Sequence, residues 1–146
     1  MEIKAINSFT GPDLVFTNQK IAAFLFKHLE QYGDPIDQIE MAIAYVFKKN
    51  EGKGGHILLA IENDTIVGAT VINETGMGGY IPANILVYIA VDANQRGKGV
   101  GKQLMIQATK LCKGGIALHV EPDNPAKKLY EAIGFTNKYL EMRYEN

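Results

Sequence analysis

Residues 85–102, ILVYIAVDANQRGKGVGK, constrain this chain more than any other stretch. The unbroken apolar run from Ile85 to Val91 suits both faces of a sheet, which predicts a central strand. Three glycines at alternate positions, Gly97, Gly99 and Gly101, follow it. Val100, Leu104, Ala108 and Leu111 then recur at helical spacing. GIALHV, residues 115–120, is strand-like again. Strand, glycine loop, helix and strand thus form one βαβ crossover, and a crossover makes its two strands parallel.

The rest of the chain fits around that unit. MEIKAINSF alternates like an opening strand, with Met1, Ile3 and Ala5 on one face. Ile21, Phe24, Leu25, His28, Leu29 and Tyr32 form the stripe of a first helix. Asp34-Pro35 reads as the N-cap and first residue of a second helix. That helix carries Ile36, Ile39, Ile43, Val46 and Phe47 and ends in the Lys48-Lys49 pair and EGKGG. HILLAIE and TIVGATVIN are strands joined by Asn63-Asp64, a hairpin pair. TGMGGYIPAN is a long loop. Asn124-Pro125 opens a last helix with Ala126, Leu129, Tyr130 and Ile133, Gly134 stands at its C-cap, and FTNKYLEMRY returns as strand. The order is β-α-α-β-β-β-α-β-α-β, a mixed α/β (α+β) fold with an antiparallel group feeding one crossover. One domain over residues 1–146 is expected, with a mixed twisted sheet and helices on both faces.

Composition narrows the function classes. With 146 residues, 47% hydrophobic, net charge −1 and one cysteine, the chain is neither a disulfide scaffold nor a disordered tract. It is not a generally basic nucleic-acid binder either. No apolar run approaches the ~20 residues a membrane span needs, and the N-terminus lacks a secretion pattern. The lone Cys112 suits a reducing cytoplasm. Ten of the 15 glycines fall between Gly52 and Gly101. Residues 95–128 carry net +5, leaving −6 for the rest, which points to an anionic ligand on one side only.

The glycine loop is where that anion fits. Backbone N–H groups of a strand-to-helix loop converge on phosphate with the helix N-terminus behind them, and Arg96, Lys98 and Lys102 add charge. A Walker A reading fails because Gln103 follows Gly101-Lys102 and Arg96 occupies the upstream glycine position. A dinucleotide or S-adenosylmethionine site is the runner-up, with Glu121 placed to hold a ribose. However, the spacing is G-x-G-x-G and too little chain follows for more βα units.

A second segment, DNPAKKLYEAIGF over residues 123–135, joins the first. Together they resemble the GNAT superfamily of acyl-CoA-dependent N-acyltransferases. Arg96-Gly97-Lys98-Gly99-Val100-Gly101 satisfies its pyrophosphate motif, Gln/Arg-x-x-Gly-x-Gly/Ala. Ala126, Leu129, Tyr130, Gly134 and Phe135 match its later signature, Asn-x-x-Ala-x-x-Leu-Tyr-x-x-x-Gly-Phe. One departure stands out: Asp123 occupies the family's Asn position and Asn124 comes one residue late.

The resemblance implies the GNAT fold, in which the strands ILVYIAVD and GIALHV splay apart. Acetyl-CoA is the implied cosubstrate, its pantetheine pairing with the backbone of Ile89, Ala90 and Val91 and its pyrophosphate on Arg96, Gly97, Lys98, Gly99, Val100, Gly101 and Lys102. Asn124 and Lys127 are further cofactor candidates. Tyr130 matches the general acid that protonates the CoA thiolate; its bland reading is core packing beside Ala126 and Ile133. His119 takes the position of the general base, with Glu121, Tyr88 and Glu74 as alternatives. The implied reaction is acetyl transfer to a primary amine on a small molecule or peptide, with residues 14–50 and 74–84 shaping the acceptor site. A CoA-binding module without catalysis is the rival from another class. His28 reads as core or boundary, no metal-ligand spacing is present, and an exposed edge near the short tail allows a homodimer.

Overall fold

The computed structural model describes residues 1–48 and 53–146. Lys49 and Gly52, read from sequence as part of a helix end, lie outside the described residues. The elements are β1 (Glu2–Ile6), α1 (Asn18–Leu29), α2 (Ile36–Val46), β2 (Gly55–Glu62), β3 (Thr65–Glu74), β4 (Asn84–Val91), α3 (Val100–Leu111), β5 (Ile116–Leu118) and α4 (Ala126–Ile133). The strands form one five-stranded sheet in chain order. β1 to β4 are antiparallel neighbours and β5 lies parallel to β4.

Local chemistry explains most of this. Asn63 and Asp64 take φ of 51° and 59°, the left-handed pair that a two-residue hairpin needs to match strand twist. The Thr17 hydroxyl accepts the Lys20 N–H and starts α1. α1 buries Ile21, Ala22 and Leu25, and α2 buries Ile39, Ala42, Ile43 and Val46, against Ile57, Leu59, Val71, Tyr88 and Ala90 of the sheet. On the opposite face, α3 and Tyr130 of α4 pack on Leu58, Ala60, Ile72 and Leu86. Helices therefore cover both faces, as the mixed α/β reading requires. No helix among the described residues is long and apolar enough to cross a membrane.

Three expectations are corrected. Asp34 does not cap α2: the helix begins at Ile36, Pro35 holds the N-cap position, and no side chain caps it. On β1 the fully buried residue is Ile6; Ile3 is half-buried, and Met1 and Ala5 are exposed. Gln103, Gln107 and Lys110 of α3 flank that side of β1 across an open groove without covering it. Finally, residues 136–146 carry neither helix nor strand. The expected strand GIALHV contracts to Ile116–Leu118, too short a ladder to hold another strand beside it. Tyr139, Leu140, Met142 and Tyr144 are accordingly 79–88% exposed.

Two glycines hold the sheet and α3 together by what they lack. A Cβ at Gly68 would stand 2.8 Å from Val100 Cγ1 and 2.9 Å from Leu104 Cδ1, so α3 sits directly on the β3 backbone. At Gly55, φ is 145° and a Cβ would fall 1.9 Å from the Ile72 carbonyl oxygen. Because that neighbour is backbone in a central strand, Gly55→Ala is expected to cost ~3 kcal/mol or more. Gly78→Ala, where nothing lies within 4 Å, should stay within about 0.5 kcal/mol. Urea unfolding of both variants checks the contrast.

Candidate active site

The site begins with an irregularity in β4. Val71 pairs with Tyr88 but its neighbour Ile72 pairs with Leu86, so Val87 is an extra residue in the ladder. Such a bulge turns the strand and changes which face its side chains meet. Leu86 packs with α3, whereas Tyr88 and Ala90 pack with α1 and α2. The pairing of β4 with β5 ends at the same place, with Leu86 opposite Leu118. From Val87 to Val91 the outer edge of β4 has no strand beside it among the described residues. Ile89, Ala90 and Val91 all lie on this free edge, which no strand covers, although the Val91 carbonyl accepts from Arg96. The closed end is fixed by buried Asn84, whose amide donates to Lys113 O at 2.8 Å and Gly115 O at 3.2 Å. Sequence reading missed Asn84; a polar residue opening an apolar strand was the available signal.

The loop after β4 is shaped by short-range contacts and by glycine. The Asp92 carboxylate accepts the Asn94 N–H at 2.8 Å and sets a short 3-10 turn, Ala93–Gln95. Gly97 and Gly99 have φ of 77° and 83°, with open space where a Cβ would stand. Gly99 is the N-cap of α3 and supplies no side chain there, so the first N–H groups of the helix face out of the fold. Exposed Lys98 and Lys102 flank them, and Val100 is buried beneath. Gly101 has a different task from the other two: a Cβ there would lie 3.2 Å from Leu129 Cδ2, so it lets α4 pack on α3.

Arg96 is placed differently from the lysines. Its guanidinium donates to Val91 O at 3.3 Å and His28 O at 3.0 Å and lies 3.1 Å from Glu30 Oε1. It ties the loop to the end of α1. His28, read from sequence as a boundary residue, takes part in the same join. Its Nδ1 accepts the Ala93 N–H at 3.4 Å and its Nε2 lies 3.9 Å from Asp92. Burial lowers the His28 pKa below the usual histidine value, against the opposing pull of Asp92, which keeps the acceptor nitrogen free of a proton.

Across the opening stands α4. The Asn124 side-chain oxygen accepts the Ala126 N–H at 2.9 Å just ahead of α4, whose N-cap position is Pro125, and its amide nitrogen makes no hydrogen bond among the described residues. Lys127 is half-buried in the first turn. Tyr130 is 7% exposed, and its ring lies 6.1 Å from that of Phe135. Burial pushes the Tyr130 phenol up to about 12, so it is a proton donor throughout the neutral range.

The candidate bases separate. His119 follows β5 directly and is exposed, as is Glu121, whose carbonyl accepts the Asn124 N–H at 3.0 Å. Glu74 pairs with Asn84 at the closed end of β4, about 17 Å of strand from Ile89 at ~3.4 Å per residue. Tyr88 is buried and donates to Asp34 Oδ2 at 2.6 Å. Desolvation and the Asp34 carboxylate raise its pKa, so Tyr88 stays a phenol and does not serve as a base. Asp34 was not among the sequence candidates, because Asp-Pro before a helical stripe reads as a cap. Tyr32, also missed, donates to Asp123 O at 3.3 Å and spans the opening between the α1–α2 connection and the β5–α4 turn.

Known proteins share this fold. A possible acetyltransferase from Clostridium difficile 630 superposes with a TM-score of 0.69 at 20% identity, over 99% of this chain and 97% of that one. An aminoglycoside N-acetyltransferase in complex with CoA gives 0.68 at 19% identity, over 99% and 93%. An aminoglycoside acetyltransferase from an uncultured soil metagenomic sample, in complex with sisomicin, gives 0.66 at 15% identity, over 99% and 94%. At these identities the likeness is one of fold. No curated protein sequence matches the chain significantly. The sequence profile of the acetyltransferase (GNAT) domain matches residues 53–137, from the start of β2 past the end of α4. The chain therefore belongs to the GNAT family of acetyltransferases.

Proposed function

We propose that the protein transfers the acetyl group of acetyl-CoA to a primary amine by direct attack on the thioester. The observation that carries this reading is the free edge of β4 from Val87 to Val91, which runs on into the Gly97–Gly99 loop and whose Ile89 and Val91 pack in the same cluster as Tyr130. An extended pantetheine adds to that edge as a strand would, along Ile89, Ala90 and Val91. Its pyrophosphate sits on the N–H groups from Gly97 to Gly101 and the first turn of α3, with Lys98, Lys102 and Lys127 supplying charge. Arg96 serves this site by holding the loop, given its contacts to α1. Asn124 offers its free amide to the pantetheine.

The amine nitrogen forms its bond to the thioester carbon, and a β4 backbone N–H holds the oxyanion. Collapse breaks the C–S bond and Tyr130 gives its proton to the departing thiolate. His119 takes the ammonium proton, with exposed Glu121 beside the same turn as the alternative. A methyl-donor site is disfavoured because four of the five strands are antiparallel in chain order, unlike a doubly wound sheet. Buried, unpaired Cys112 suits a cytoplasmic setting. The alternating Leu140, Met142 and Tyr144 of the exposed tail are the surface on which a homodimer would form.

Tyr130→Phe is expected to lower kcat by ~10²-fold with an amine substrate while leaving CoA-dependent thermal stabilisation intact. Equal turnover in the two proteins removes Tyr130 from the mechanism. Since an acid acts while protonated and Tyr130 titrates at about 12, the wild-type rate should show no alkaline decline from this group through pH 10. In a thermal-shift comparison CoA should stabilise the protein and S-adenosylmethionine should not. Stabilisation by CoA without turnover on any amine favours the non-catalytic module instead.

A further inference from the structure

Asp34 stands where its local sequence gives it no reason to be. It precedes Pro35 at the entry to α2, yet caps nothing there. Its carboxylate accepts instead from Tyr88, at 2.6 Å and across 54 residues of chain. Tyr88 is 7% exposed, and its main chain is held by the Thr70 hydroxyl, which donates to the Tyr88 carbonyl at 2.8 Å. A rigid, buried phenol thus aims one oxygen of an exposed carboxylate. The other oxygen, Oδ1, has no hydrogen bond or ion pair among the described residues.

Position gives this carboxylate a task. Tyr88 follows the Val87 bulge and precedes Ile89 and Ala90 on the free edge. Two residues before Asp34, Tyr32 reaches Asp123 on the β5–α4 turn. Asp34 therefore lies at the mouth between β4 and that turn, on the α1–α2 face of the sheet, whereas Tyr130 packs on the α3–α4 face. Arg143, hydrogen-bonded to Glu141, makes no ion pair with Asp34 among the described residues.

We propose that Asp34, aimed by Tyr88, binds the ammonium group of the acceptor and selects amines that carry no carboxylate beside the nitrogen. The inference rests on the acetyl-transfer reading above and names the substrate class for that site. A primary ammonium has three donors and a full charge, and it suits a carboxylate with one oxygen anchored and one free. A carboxylate a few ångströms from the amine, as in an α-amino acid, brings like charges together in a half-dry mouth and is rejected. Alkylamines, polyamines and lysine side chains within peptides satisfy both conditions.

The test uses the full chain saturated with CoA, with n-butylamine, spermidine and Nα-acetyl-lysine methylamide as probes and glycine as the excluded class. The first three should shift the Asp34 13Cγ resonance saturably, and glycine should leave it unmoved. In turnover assays Asp34→Asn should raise KM for the best amine about 10- to 100-fold, with kcat at saturation and CoA thermal stabilisation near wild type. Asp34→Glu should restore part of the loss, and Tyr88→Phe should raise KM to a smaller extent. An unmoved 13Cγ resonance, or a KM unchanged in Asp34→Asn, overturns the proposal. Should the wild type acetylate none of the amines, the acetyl-transfer reading fails on its own, and the 13Cγ titration still decides whether Asp34 binds ammonium.

Discussion

The extra residue at Val87 is the constraint on which the rest of this structure depends. A ladder without it would keep Leu86 and Tyr88 on one face of β4, both against α3. The bulge sends them to opposite faces and coincides with the last pair between β4 and β5, Leu86 with Leu118. One inserted residue thereby does two things. It opens a length of central strand that would otherwise be sealed by its neighbour, and it turns a tyrosine toward the α1–α2 side of that opening. A central strand with a free edge is costly to leave bare, since its backbone groups lose their partners. Here the exposed groups lie at the rim of the sheet, where water or an extended ligand can satisfy them.

The loop that follows is tied to α1 and to the α1–α2 connection. Arg96 and His28 join the segment from Val91 to Arg96 to the last turn of α1. Glu30, at φ 55° and paired with Arg96, begins the connection that carries Tyr32 and Asp34. The glycine loop, the β5–α4 turn and the free edge of β4 each hold one point of that connection, through Arg96, Asp123 and Tyr88 respectively. The glycine loop and the α1–α2 connection thus share a frame, and the Arg96 side chain is part of it.

Much of the fold was legible because it follows from short-range rules. Asn63-Asp64, the stripes of α1, α2 and α3 apart from their exposed ends at Ile36 and Leu111, Gly134 at the end of α4, and the strand-to-helix glycine loop all rest on chemistry confined to a few residues. What failed was set by distant packing. The alternation of Met1, Ile3 and Ala5 marks a face but does not say whether a helix covers it. The apolar letters of the tail predict a strand, yet a strand needs a ladder, and β5 offers three residues. Gly101, grouped with Gly97 and Gly99 by spacing, also has a packing role that only its contact with Leu129 reveals.

The site divides along the same line. Tyr130 and the glycine loop are local motifs and can be picked out from a few neighbouring letters. Asp34 and Tyr32 are not motifs at all, because each gains its meaning from a partner 54 or 91 residues away. The bulge itself leaves no mark in the sequence, since ILVYIAVD reads as continuous strand whether or not Val87 is paired. Yet the bulge decides that Leu86 faces α3 while Tyr88, and Asp34 with it, stands on the α1–α2 side. That separation follows from the parity of one strand, which a single added residue reverses.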